Sequence, residues 1–218
     1  RPRGGRVVVP GDFSSAAFFL AAGLLAGGDA PLELLGVGVN PTRTGLLEIL
    51  RMMGGRIELC RLREECGEPV ADLRVWRSEL RGVDVPPALV PLAIDEFPAL
   101  FVVAALAAGT TRVRGAEELR VKESDRIAVM ARGLEALGAR VVEQPDGLLI
   151  EGGGLSGGTV DSEGDHRVAM AFAVAAARAD GPVTILDVAN VATSFPGFAA
   201  AAAGVGLDIA ELRTGAAA

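Results

Sequence analysis

The 218 residues predict an α/β (α+β) fold of repeated β-α-β-α-β-β units, with long apolar helices buried at the centre of a domain. Three observations carry that expectation. Half the residues are hydrophobic and 22% are charged, which suits a sizeable core and is wrong for disorder. The apolar content is Ala, Val and Leu, with 4% aromatics and no Tyr, so helices and strands can approach closely. Three segments also share one order: an Asp, a very apolar helix, a Gly turn, a strand, a second helix, a Gly and another strand.

In the first copy Gly11-Asp12 precedes a helix over 16–26, then come Gly27-Gly28, a strand at 31–35, a helix at 43–53, Gly54-Gly55 and a strand at 56–60. The second runs through Ile94-Asp95, helix 97–108, Gly109, strand 110–114, helix 124–137, Gly138 and strand 139–143. The third runs through Gly164-Asp165, helix 167–178, Gly181, strand 182–186, helix 195–203, Gly204 and strand 206–210. Asp before a helix caps its free amides, and Gly after one allows a left-handed closing residue. In 124–137 Ile127, Met130, Leu134 and Leu137 fall at helical spacing among charged neighbours. Residues 70–76 alternate as a half-buried strand does, and 148–151 follow the Pro145-Asp146-Gly147 turn as another. The mixed-charge stretch Leu59–Pro69 reads as a domain crossover.

A net charge of −7 argues against a nucleic-acid surface or a polybasic membrane patch, while leaving room for a local basic cluster. Cys60 and Cys66 lie six apart without a nearby His. That spacing does not make a zinc site; two incidental thiols of a cytoplasmic protein fit better than a disulfide. The longest apolar runs, 16–26, 97–108 and 168–177, fall short of the roughly 20 residues of a membrane span. The opening Arg-Pro-Arg-Gly-Gly has no leader pattern and no Met, so residue 1 is not expected to be the natural start.

The chemistry concentrates in 117–126, where seven of ten residues are charged. Such a run before a helix is ordinarily a solvated face with a capping box. Lys122 and Arg126, however, stand four apart at a helix amino end, where the dipole and free amides already favour anions. His166, the lone histidine, and Arg167 open the third apolar helix, another such place. Asp95 opens the second, as a cap or as something more. Ser14 and Ser15 at the first can cap or bind phosphate.

Leu119-Arg-Val-Lys-Glu-Ser-Asp-Arg126, Gly164-Asp-His-Arg167, Val9-Pro-Gly-Asp12 with Ser14-Ser15, Asn40-Pro-Thr-Arg-Thr-Gly45, Ile94-Asp95 and Thr193-Ser-Phe-Pro196 together resemble the EPSP synthase family, in that order. The resemblance covers about residues 6 to 210. It implies the enolpyruvyl transferase fold, two domains of three units each closing on substrates between them. Residues 1–58 would then be the last unit of the first domain and 59–218 most of the second, with earlier units upstream.

The implied reaction transfers the enolpyruvyl group of phosphoenolpyruvate to the 5-hydroxyl of shikimate 3-phosphate. By resemblance Asp95 accepts the hydroxyl proton and Glu123 protonates the methylene carbon. Lys122 contacts both substrates, Arg126, His166 and Arg167 belong to the phosphoenolpyruvate pocket, and Ser15 and Asp95 to the shikimate 3-phosphate side. Thr193 stands where some members carry Lys, and Phe18 where some carry a ring-contacting Tyr. The resemblance implies no metal, no organic cofactor, and a monomeric full-length form. Two rivals are UDP-N-acetylglucosamine enolpyruvyl transferase, whose family lacks the Val-Lys-Glu-Ser-Asp-Arg and Asp-His-Arg combination, and a fragment that only binds anions.

Overall fold

A computed structural model describes residues 4–26 and 28–212. The chain runs α1 (Phe13–Ala26), β1 (Leu32–Gly38), α2 (Gly45–Met52), β2 (Arg56–Glu65), β3 (Glu68–Trp76), α3 (Phe97–Leu106) and β4 (Thr110–Arg112). It continues with α4 (Arg126–Ala136), β5 (Arg140–Gln144), β6 (Gly147–Glu151), β7 (Leu155–Asp161), α5 (His166–Ala176), β8 (Ala179–Leu186), α6 (Val191–Ser194) and α7 (Phe198–Gly204). The repeat is visible in the pairing. Residue 11 bridges Val37 in parallel, Arg81 and Asp84 bridge Ala108 and Arg112 in parallel, and β7 lies parallel to β8. In the first two units the sixth element, β3 or β6, then inserts antiparallel between its neighbours, giving orders β1-β3-β2 and β4-β6-β5.

Neither α1 nor α3 has a charged residue, and nearly every residue of both is buried. A helix apolar all round must be covered on every side. The cover for α1 comes from α3 and α5, and all three belong to one continuous hydrophobic core running from Phe13 to Leu207. Phe18 and Phe19 reach the third unit directly, with ring centroids 6.3 and 6.0 Å from Phe198. Small residues make this possible. A Cβ on Gly23 would come within 2.4 Å of Val75, and one on Gly133 within 2.2 Å of Phe172.

The boundary expected at residue 58 falls inside β2, and the stretch 59–69 forms a hairpin between β2 and β3. Glu65 pairs with Glu68 across Cys66 and Gly67, both at positive φ (54° and 86°), as a two-residue turn between twisted strands requires. The first unit ends at Trp76, and its central helix shares the core of the other two. Hydrogen exchange should accordingly protect α1 amides as strongly as those of α3 and α5. Fast exchange confined to α1 would show that the first unit opens independently.

Two further differences concern strands. β7, a stretch of small residues between two Gly-rich turns, was not among the expected strands. The strand expected at 206–210 does not form. Its counterparts β2 and β5 each pair with an inserted antiparallel neighbour, and among the described residues nothing lies beside 206–210 to complete such a ladder. Gly27 of the Gly27-Gly28 turn lies outside the described residues. Cys60 and Cys66 are free thiols. Among the described residues no helix is long and apolar enough to cross a membrane, and no group of His, Cys, Asp or Glu could hold a metal ion.

Candidate functional site

The three central helices run in the same direction, and their amino ends meet. Ser14 of α1 donates to Glu96 Oε1, just before α3, at 2.5 Å. Arg167 of α5 donates from Nη1 to the Asp95 carbonyl at 3.2 Å. At the other end Ala22 and Ala26 of α1 and Ala173 and Ala176 of α5 line one cavity. Each helix start carries partial positive charge and free amides, so their convergence favours anions before any side chain is counted.

Arg126, the first residue of α4, is fully buried beside this point. Its Nε donates to Asp165 Oδ2 at 2.7 Å and its Nη2 pairs with Glu123. The third nitrogen, Nη1, lies 3.6 Å from Asp95 Oδ1 and has no hydrogen-bond partner among the described residues. A buried guanidinium is tolerated only when paired, and Asp165 does most of that. Asp165 also accepts from Ser124 Oγ (3.1 Å) and the Arg167 amide (2.9 Å). Burial pushes its carboxyl up, but the Arg126 hydrogen bond and charge outweigh this and hold it below the usual aspartate range.

Asp95 is the half-exposed centre of the cluster. Lys122 Nζ stands 3.4 Å from Oδ1, and Arg43 Nη2 3.9 Å from Oδ2. Burial works against ionisation here as well, but the charges of Arg167, Lys122 and Arg126 prevail and keep the carboxyl below its ordinary value. Asp12 and Asp165 cap their helices, accepting from the amides of Ser15 and of Arg167. No side chain caps α3, so the carboxylate of Asp95 is not spent on backbone. A carboxylate ringed by cations is a different object from a helix cap.

The other expected residues divide. Lys122 also pairs with Glu118 at 2.5 Å, which raises its pKa. Glu123 is half-exposed on the Arg126 fork. His166 is half-buried; burial first, then the Arg167 charge, push its imidazole down. Ser15 is not brought into the cluster, because its hydroxyl donates to Asp12 at 2.8 Å while Ser14 points inward. Phe18 is a core residue, and Thr193 is exposed on α6. Ser14, one of the two hydroxyls expected at the first helix start, is the one that reaches the cluster, whereas Glu96, Arg43 and Asp165 as counter-ion are additions to the expected set. Arg43 and Asp165 stood inside recognised motifs, but nothing in the sequence around Glu96 marked it.

Converging helix starts and four cations around a carboxylate held below its ordinary pKa give this α/β domain a site suited to a small anion. The chain belongs to the EPSP synthase (3-phosphoshikimate 1-carboxyvinyltransferase) family, whose model matches residues 1–201. It is 64% identical over 205 residues to a 3-phosphoshikimate 1-carboxyvinyltransferase of Acidithiobacillus ferrooxidans, covering 93% of this chain and 47% of that protein. A Methylococcus capsulatus protein of the same name is 58% identical, over 94% of this chain and 46% of that one. The chain thus spans about half the length of the curated relatives it matches. The solved EPSP synthase of Acinetobacter baumannii superposes with a TM-score of 0.89 at 48% identity, covering 92% of this chain and 47% of that one. The enolpyruvyl transferase NikO of Streptomyces tendae, at TM-score 0.73 and 23% identity over 93% and 44%, shares the fold.

Proposed function

We propose that this chain is the substrate-facing domain of an enzyme that transfers the enolpyruvyl group of phosphoenolpyruvate to the 5-hydroxyl of shikimate 3-phosphate, in aromatic amino acid biosynthesis. The observation that carries the reading is the Nη1 of buried Arg126, which has no hydrogen-bond partner among the described residues and stands 3.6 Å from the Asp95 carboxylate. A buried donor without an acceptor is costly, and a substrate oxygen would satisfy it. Lys122 and Arg167 stand on either side, and both substrates are polyanions.

In this mechanism Asp95 takes the proton of the attacking hydroxyl as its oxygen bonds to the central carbon of phosphoenolpyruvate. Glu123 delivers a proton to the methylene carbon, which becomes a methyl group in a tetrahedral adduct. In the second step Glu123 takes a methyl proton back, the double bond re-forms, and phosphate leaves with the proton that Asp95 had taken. Lys122, Arg126 and Arg167 offset the charge that gathers on the departing group.

The other half of the protein would supply the facing wall of the cleft. The chain alone should therefore show no phosphate release from the two substrates, and mixing it with the complementary half should restore release. Robust release by the chain alone would overturn this partition. No release from a mixture whose halves demonstrably associate would overturn the assigned reaction.

A further inference from the structure

The reaction sequence above leaves one carboxylate of the cluster unused. The side chain of Glu96 is 1% exposed and accepts the Ser14 hydroxyl at 2.5 Å. The same Ser14 oxygen accepts a hydrogen bond from Arg43 Nη2 at 3.1 Å. That nitrogen stands 3.9 Å from both Glu96 Oε1 and Asp95 Oδ2, and the Arg43 side chain is 53% exposed. Arg167 Nη1 lies 3.9 Å from the same Glu96 oxygen. Ser14 and Arg43 come from the first unit, Glu96 from the second and Arg167 from the third.

A carboxylate this deep is retained only with partners. Burial pushes Glu96 up, and the Ser14 hydrogen bond with the Arg167 and Arg43 charges opposes it. Arg43, by contrast, spends one donor on a neutral hydroxyl and keeps the rest of its planar fork open beside Asp95. Such a fork matches a phosphate or carboxylate edge in a way an ammonium does not.

We propose that Arg43 is a further anion-binding side chain of this site, held toward Asp95 by Ser14 and the buried Glu96. Glu96 and Ser14 are positioning residues, acting on the ligand through Arg43. The inference rests on the preceding reading in that it requires an anionic ligand beside Asp95.

The test titrates phosphoenolpyruvate into the chain and follows the imidazole resonances of His166, the only histidine of the sequence. A saturable shift is expected for the unmodified chain, and its loss in Lys122→Ala. Arg43→Ala should weaken binding about tenfold, the loss of one charge-assisted contact, and Arg43→Lys should recover only part. Glu96→Gln, which still accepts from Ser14, should bind nearly as the unmodified chain does. Ser14→Ala should weaken binding alone but add nothing to Arg43→Ala, because it acts through that side chain. Unchanged binding in Arg43→Ala with loss in Lys122→Ala would overturn the inference and leave the site standing. Additive losses in the double variant would overturn the positioning role. Absence of any saturable shift in the unmodified chain would overturn both readings.

Discussion

Replacing Arg126 with Met should lower the melting temperature of the chain by on the order of 10 °C. The side chain is fully buried and is the counter-charge of Asp165, which is itself fully buried. Removing one partner of a buried pair leaves an uncompensated charge and costs about 3–5 kcal/mol. In a domain of this size each kcal/mol moves the midpoint by about 2–4 °C. Arg126→Met combined with Asp165→Asn should recover most of the loss, since Asn stays neutral and can still cap α5. The pH dependence has a definite sign. Asp165 is held below its unfolded value, so the pair stabilises the fold above the ordinary aspartate range. That contribution fades as pH falls through the lowered folded value. The unmodified chain should lose this part of its stability on acidification, and the double variant should not. A single variant melting within a few degrees of the unmodified chain would show that the pair contributes little.

Asp95→Ala in the whole enzyme should depress turnover by about 10²–10⁴-fold, the usual contribution of a general base. Its melting temperature should change little, because Asp95 makes no capping bond to α3. The KM for phosphoenolpyruvate should hold or fall, since removing the carboxylate leaves Lys122, Arg126 and Arg167 facing the ligand without their local anion. A helix cap behaves otherwise: losing one costs about 1 kcal/mol of stability and leaves turnover per folded molecule intact. Kinetics measured beside thermal unfolding separates the two. An early-melting variant with near-normal turnover would remove Asp95 from the mechanism.

What the sequence determined by itself is local in origin. Apolar periodicity, Asp at helix starts and Gly at their ends act within a few residues, and they located α1, α3, α4 and α5 and most strands nearly where they stand. The clustering of Lys122 and Arg126 was legible for the same reason, as was the pairing of His166 with Arg167 at a helix start. Tertiary structure alone decided which helices share a core. A helix that is apolar on every face states only that it must be covered, and α3 and α5 supply the cover for α1 from residues far along the chain. It also decided between neighbours. Successive residues of a helix point about 100° apart, with 3.6 residues to the turn. Ser14 therefore reaches Glu96 while Ser15 turns back to Asp12; in the tighter 3-10 turn before α3, Asp95 faces the open site while Glu96 faces the interior. The motifs name Ser14, Ser15 and Asp95 but not Glu96, and which neighbour faces the site depends on how its segment packs.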